Sequence, residues 1–304
     1  MDDDVFDGEP SVVIRSGELE ATFLPGLGML GASLRHAGAE LLVLPHGIQG
    51  YRDGHQAGLP LLAPWANRLG ARAYRVGDIA VDLDGVTLST DDNGLPIHGT
   101  LTAATGWRVT SAGADRLSAG LSFDTPALLA AFPFPHRLAI DATVGNDTLW
   151  ISTTLTATGD RVVPVSFGWH PYLRLPNGGR STWALDMPEC EHVELDDRGL
   201  PTGRALALPA SSGPIGGRVF DDLYRLGDDR LLALSDGDLR LEVRFETGCP
   251  YAQVFAPPGA EFVCLEPMTA TTNALVDGGC PLVAPGSSFT GRFGIGVGVS
   301  VERR

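Results

Sequence analysis

The chain has 304 residues, 43% of them hydrophobic and 19% charged, a composition that supports a large buried core. Its net charge of −15 argues against nucleic-acid binding, which needs basic side chains against phosphate. All 22 basic residues are arginine. With no lysine there is no protein Schiff base of the class I aldolase or pyridoxal-phosphate kind, and no P-loop lysine.

The opening "MDDDVFDGEP" lacks the basic start and apolar core of a signal peptide. No apolar run reaches the roughly 18 residues of a membrane helix. A cytoplasmic protein with no membrane partner is expected, with residues 1–8 as a flexible tail. "SVVIRSGELEATFLP" predicts two strands joined at Ser16-Gly17. "GLGMLG" (26–31) matches G-x-G-x-x-G, but "ASLRHAGAELLVL" follows it and reads as strand, turn and strand. A dinucleotide fingerprint must instead open a helix, so no nucleotide is expected.

"DIAVDLDGVTLS" predicts a hairpin about Asp84-Gly85, and "RLAIDATVGNDTLWISTTLTATG" a longer one turning at Gly145-Asn146-Asp147. "ALLAAF" (127–132) is a short helical turn at most. "LRLEVRFET", "YAQVFAP", "EFVCLEP" and "SFTGRFGIGVGV" alternate with period two and are read as strands. The fold class is therefore all-β and antiparallel, with little helix. No linker or repeat divides the chain, so residues 1–304 are read as one domain. Cys190, Cys249, Cys264 and Cys280 form no C-x-x-C pair and are expected as free thiols.

Several stretches could carry chemistry. "GLPLLAPWANRLGARAYRVGD" (58–78) places prolines and Trp65 before Asn67-Arg68. A stiff loop can aim a guanidinium at little entropic cost, and that planar fork suits vicinal hydroxyls. "NGLPIHGTL" sets His98 beside Gly99, where a small residue gives a ligand access to the backbone. "SFGWHPYLRLP" holds His170 between Trp169 and Pro171. His170 could be a core histidine, a metal ligand or a proton donor.

"RVFDDLYRL" carries Asp221 and Asp222, one of which should face inward and need hydroxyl-like donors. In "EFVCLEPMTATTNAL", alternation puts Cys264 and Glu266 on the face of Phe262. A carboxyl on an apolar face should titrate high, which suits a general base near neutral pH. Neither G-x-S-x-G nor the common zinc spacings occur, and no metal or cofactor is expected. The set that distant strands could still gather around a metal is His98, His170 and Glu266.

In this order, "PWANRLG", "LPIHGTL", "FGWHPYLRLP", "FDDLY" and "CLEPMTATTNAL" resemble the aldose 1-epimerase (galactose mutarotase) family, from about residue 11 to 300. The resemblance implies a β-supersandwich with an open sugar-binding cleft. It implies Glu266 as general base and His170 as general acid, with Arg68, His98 and Asp221 on the sugar. Asn67 goes with Arg68, and Asp222 is the alternative to Asp221. The implied reaction interconverts the α and β anomers of a free aldose by ring opening at C1–O5. Histidine would serve this chemistry unperturbed, and glutamate after an upward shift.

His98-Gly99 is followed by "TLTAATGW", which departs from the glycine-rich continuation of the galactose-active members and weakens galactose as the substrate. A phosphorylated or sulfonated sugar is a variant, with Arg72 and Arg75 as anion ligands. A non-catalytic sugar-binding protein and a glycoside hydrolase using Glu266 with Asp221 or Asp222 are the rival classes. The expected partner is a small-molecule sugar, on a monomer or homodimer.

Overall fold

A computed structural model describes residues 4–299, and the chain is built almost wholly of antiparallel strands. The α-helices among these residues are short: Gly47–Arg52, Pro126–Leu129 and Ala274–Asp277. None is long and apolar enough to cross a membrane. Of the expected tail, residues 1–3 lie outside the described residues, and Val5–Phe6 pairs with Glu9–Pro10 in a small hairpin.

Two large sheets make the supersandwich. The nine-stranded sheet is centred on the hairpin His136–Gly145 and Thr148–Ala157, which continues through Ser288–Val299 to Leu239–Phe245. The hairpin turns where expected, because Asn146 and Asp147 both take left-handed backbone (φ 51° and 53°), the geometry of a tight two-residue turn. Its strands alternate strictly between buried positions and half-buried or exposed ones, so one face meets the core and the other lies towards water. The eight-stranded sheet runs from Pro201–Leu208 through Cys190–Leu195, Phe220–Leu226, Tyr251–Ala256 and Val263–Met268 to Gly168–Trp169 and Leu61–Leu62. Val263–Met268 is buried at every position, which marks it as a central strand covered on both faces.

One apolar cluster runs from Ile14 to Ile295 between these layers. Trp169 ties the sheets together: its indole N–H donates to Thr153 Oγ1 at 3.0 Å and its ring packs on Phe293. Cys190, Cys249, Cys264 and Cys280 are free thiols.

One predicted hairpin is placed differently. Ile79–Asp82 pairs backwards with Ala73–Val76 across Gly77, not forwards across Asp84-Gly85. Gly77 has φ 58°, and the strand before it supplies the apolar Tyr74 and Val76 that Val81 needs as buried neighbours. After Asp84-Gly85 the chain turns without forming a strand. Val12–Ser16 pairs with Leu19–Leu24 as expected, and Leu30–His36 starts within "GLGMLG"; the strand expected after it shrinks to Ala39–Glu40, with Leu42 bridging Leu173.

Candidate active site

The site is assembled where three crossing segments are laced together by backbone hydrogen bonds. The segment carrying Asn67 and Arg68 runs parallel to the one leading to His170: Trp65 bridges Ser166, and Ala66 N–H donates to the Ser166 carbonyl at 2.6 Å. The segment carrying His98 crosses the first. His98 N–H donates to the Asn67 carbonyl at 3.0 Å, and Thr100 N–H to the Ala63 carbonyl at 2.8 Å. Glycine in His98-Gly99 is therefore a packing requirement, not a route for ligand. A Cβ on Gly99 would lie 2.2 Å from the Ala63 carbonyl oxygen, on backbone at φ 69°. Gly168 plays the same part for the glutamate strand, since a Cβ there would lie 2.8 Å from the Pro267 carbonyl oxygen.

The tail of "CLEPMTATTNAL" closes the assembly. Thr269 Oγ1 donates to the Phe167 carbonyl at 2.8 Å. Asn273 Oδ1 accepts from Gly70 N–H at 2.6 Å, while Asn273 N–H donates to the Arg68 carbonyl at 3.0 Å. The motifs are thus bound to one another by packing as well as by chemistry.

His170 and Glu266 meet at the centre, with Nε2 3.3 Å from Oε1. They are 4% and 1% exposed, so both are cut off from bulk water. His170 stacks on Tyr172, with ring centroids 4.6 Å apart, and meets Phe255 in a T-shaped contact. The fold leaves His170 Nδ1 and Glu266 Oε2 without hydrogen-bond partners. Buried polar atoms are normally paired, so a core histidine with satisfied nitrogens is not what the structure contains.

Burial pushes the Glu266 carboxyl well above the ordinary carboxylate range; Asp221 adds to the rise and Arg68 opposes it. This is the shift that the apolar face of the strand led one to expect. Burial also pushes the His170 imidazole down, to about 3. Here the expectation of an unperturbed histidine is corrected, because an enclosed imidazole loses the hydration that stabilises its cation. Burial thus favours the uncharged form of both partners.

His98 lies 5.4 Å from His170, ring to ring. Its Nδ1 accepts from Asn67 N–H at 3.3 Å, so Nε2 carries the ring proton. Burial, with His170 and Arg68 nearby, holds its cation well below its ordinary pKa. Arg68 is held on three sides. Nη2 donates to Asp221 Oδ2 at 2.9 Å, Nε to Asp91 Oδ2 at 2.8 Å and Nη1 to Asn67 Oδ1 at 3.1 Å. Burial opposes the guanidinium charge, but Asp221 and Asp91 together hold it firmly protonated.

The two aspartates separate by strand alternation. Asp221 joins the site, where its other oxygen accepts from Gln253 Nε2 at 2.6 Å. Asp222 points to the opposite face and meets His192 Nε2 at 3.0 Å. Asn67 is buried, and its Oδ1 accepts from the N–H and Nη1 of Arg68. Trp169, directly before the histidine, faces the core and takes no part.

Sequence reasoning missed two residues. Gln253 lies directly opposite Glu266 across the strand pair and is 1% exposed; a glutamine in an otherwise apolar alternating strand was the available signal. Asp91 sits in an exposed-looking "DDNG" turn and gave none. His98, His170 and Glu266 do converge, but no group of three or more His, Cys, Asp and Glu side chains among the described residues is arranged to hold a metal ion. Arg72 and Arg75 turn elsewhere: Arg72 meets Asp84 and the Leu83 and Val86 carbonyls, and Arg75 the Asp78 carbonyl.

Comparison with known proteins decides the lineage. The sequence matches the aldose 1-epimerase family over residues 19–295. The chain belongs to that family. Among solved structures, it is similar to a galactose mutarotase-like protein of Clostridium acetobutylicum, at 18% identity and a TM-score of 0.84 over 98% of this chain and 97% of that one. It also resembles a GalM/aldose epimerase homologue of C. elegans, at 16% identity and a TM-score of 0.81 over 96% and 99% of the two chains. A protein of Synechocystis sp. PCC 6803 is 21% identical, with a TM-score of 0.79 over 99% and 100%. No curated protein matches the sequence. At these identities the solved structures establish the shared aldose 1-epimerase fold, the supersandwich, and not a substrate.

Proposed function

We propose that the protein is a mutarotase that interconverts the anomers of a neutral free aldose, with His170 and Glu266 as its proton-transfer pair. The observation that carries this reading is the enclosed pair itself, 3.3 Å apart with one unpartnered atom on each side chain, beside the Arg68–Asp221 ion pair. A pure sugar binder has no use for two buried groups that can exchange a proton, and burying them unpaired costs stability.

The protonation state suits reversible ring opening. Neutral Glu266 and neutral His170 together hold one transferable proton, and moving it onto the imidazole gives the carboxylate–imidazolium tautomer. In that form Glu266 takes the proton from the C1 hydroxyl while His170 gives its proton to the ring oxygen. The C1–O5 bond breaks and the C1 carbonyl forms. Glu266 is then protonated and His170 neutral, the form of the pair that burial favours.

Rotation about C1–C2 presents the other carbonyl face. Closure runs the transfers in reverse, with neutral His170 accepting from the O5 hydroxyl and Glu266 donating to the carbonyl oxygen. Every proton is returned, and positioned acid–base groups of this kind contribute on the order of 10²–10⁴-fold each. Arg68, the Nε2–H of His98 and Asp221 are assigned to the sugar hydroxyls.

Charge favours a neutral substrate. The Arg68 cation faces two carboxylates, Asp91 and Asp221, while burial disfavours charge on Glu266, His170 and His98. Arg68 is thus already matched by two carboxylates, which favours a neutral sugar over a phosphate or sulfonate, and Arg72 and Arg75 do not offset them. Asp221, gripped on both oxygens by Arg68 and Gln253, is poorly placed to serve as the second carboxyl of a glycosidase.

The test is anomer exchange measured by polarimetry and NMR over a panel of free sugars and their 6-phosphates. Acceleration with neutral sugars should fall about 10²–10⁴-fold in Glu266→Gln and in His170→Asn. Sugar binding without acceleration would instead identify a non-catalytic binder. Faster exchange of the phosphates would overturn the neutral-substrate assignment.

A further inference from the structure

Arg68 has five N–H groups, and the fold uses Nε and one hydrogen on each terminal nitrogen. One N–H on Nη1 and one on Nη2 are left. We propose that Asp91 is a positioning residue of this site: by holding Nε it sets the plane of the guanidinium, so that the two remaining N–H groups converge on sugar hydroxyls. The kinetic part of this inference rests on the mutarotase reading.

Asp91 is fixed independently of the arginine. Its Oδ1 accepts from Asn93 N–H at 3.0 Å and Leu95 N–H at 2.9 Å. Its own N–H donates to the Leu95 carbonyl, and its carbonyl accepts from Gly94 N–H. Its side chain is only 7% exposed, so solvent does not compete for Oδ2. Burial opposes its charge, yet the Leu95 N–H and Arg68 hold its carboxyl below the ordinary carboxylate value.

The turn bearing Asp91 closes on the site at both ends. Ile97 N–H donates to the Ser89 carbonyl, Arg68 bridges Ile97, and the next residue, His98, donates to Asn67. Asp91 thus lies in the same closed loop as one sugar ligand and grips another. The other two partners each hold one terminal nitrogen, Asn67 from the neighbouring residue at 3.1 Å and Asp221 from a side chain that is 40% exposed, so Asp91 is the sole hold on Nε.

The informative variant is Asp91→Asn. Its amide oxygen stays with the Asn93 and Leu95 N–H groups, since an NH₂ there would face two donors. The NH₂ then falls against Arg68 Nε–H, donor against donor. The turn survives and the arginine loses its hold at Nε, keeping only the Asn67 and Asp221 contacts. On the best sugar, kcat/KM should drop on the order of 10- to 100-fold, mainly through KM. In an Arg68→Met background the same change should cost less than about twofold, because residues acting through one contact are not additive.

Equal factors in the two backgrounds would show a merely structural turn and overturn the proposal. A second readout does not depend on activity. The arginine Nε–H resonance that vanishes in Arg68→Met should exchange slowly in the wild type and lose that protection in Asp91→Asn. If Asp91→Asn fails to fold, Asp91→Ser keeps one turn acceptor and removes the arginine's partner. A protected Arg68 resonance in the folded Asp91 variant overturns the proposal. If the wild type accelerates no sugar, the mutarotase reading fails and the resonance alone decides Asp91.

Discussion

His136 makes a measurable link between core packing and pH. It opens the strand His136–Gly145 at 1% exposure, stacked on Phe123 at 4.5 Å with its edge to Phe132. Its Nδ1 donates to the Phe134 carbonyl at 2.7 Å, and Nε2 has no partner. Burial pushes its pKa from 6.5 down to about 4, with the Phe134 carbonyl opposing. Between these values the unfolded chain binds a proton that the native protein does not. This contribution is therefore complete above the unfolded pKa and is lost as pH falls towards the folded one. For one such group the loss is about 2 kcal/mol on going from about pH 7.5 to about pH 5.

Urea unfolding at both pH values, in the wild type and in His136→Gln, isolates this term. Glutamine does not titrate and can still donate to the Phe134 carbonyl. His98 and His170 shift in the same direction but cancel in the comparison. The wild type should lose about 2 kcal/mol more than the variant between the two pH values. Equal losses would show that the imidazole is solvated or paired in solution, and the linkage reasoning would fail.

Two further outcomes follow from the site. Gly99→Ala should disrupt sugar binding although Gly99 carries no chemistry, because its Cβ would collide with the Ala63 carbonyl and displace both His98 and Arg68; a sugar isotherm and a melting curve would both register the loss. Asp221→Asn should weaken binding of the best sugar on the order of 10-fold or more, whereas Asp222→Asn, which loses only its half-exposed contact with His192, should change it less than about twofold. Equal effects of the two substitutions would reverse the assignment of the site aspartate.

Strands were readable wherever alternation was clean. The hairpin at Asn146-Asp147 shows both signals, apolar period and turn chemistry, and the structure places it as expected. The hairpin near residue 77 was displaced because Asp84-Gly85 is the stronger local turn signal, while pairing was decided by which neighbouring strand could bury Val81. Among the site residues, Glu266 was legible as a carboxyl on an apolar strand, whereas His170, just beyond Gly168–Trp169, stayed ambiguous until the order of the motifs supplied its role. Gln253 was obscured because its place depends on register with a strand that follows it. Asp91 was obscured because a turn aspartate looks solvated until the arginine from 23 positions earlier arrives. The fall in the His170 pKa was likewise invisible, since the depth of burial belongs to the assembled sheets.

Asn67, His98 and Asn273 all sit on left-handed backbone, at φ 58°, 62° and 68°. For a residue with a side chain this conformation costs roughly 1–2 kcal/mol. Glycine at any of the three would relax the chain and erase the side chain for which the strain is borne. Each of these side chains also accepts a backbone N–H, from Arg68, Asn67 and Gly70 in turn, so the lost hydrogen bond would offset the relaxation. Backbone strain and the lacing of the segments are coupled at these three residues, and an engineer seeking a hardier protein should look for gains elsewhere in the sheets.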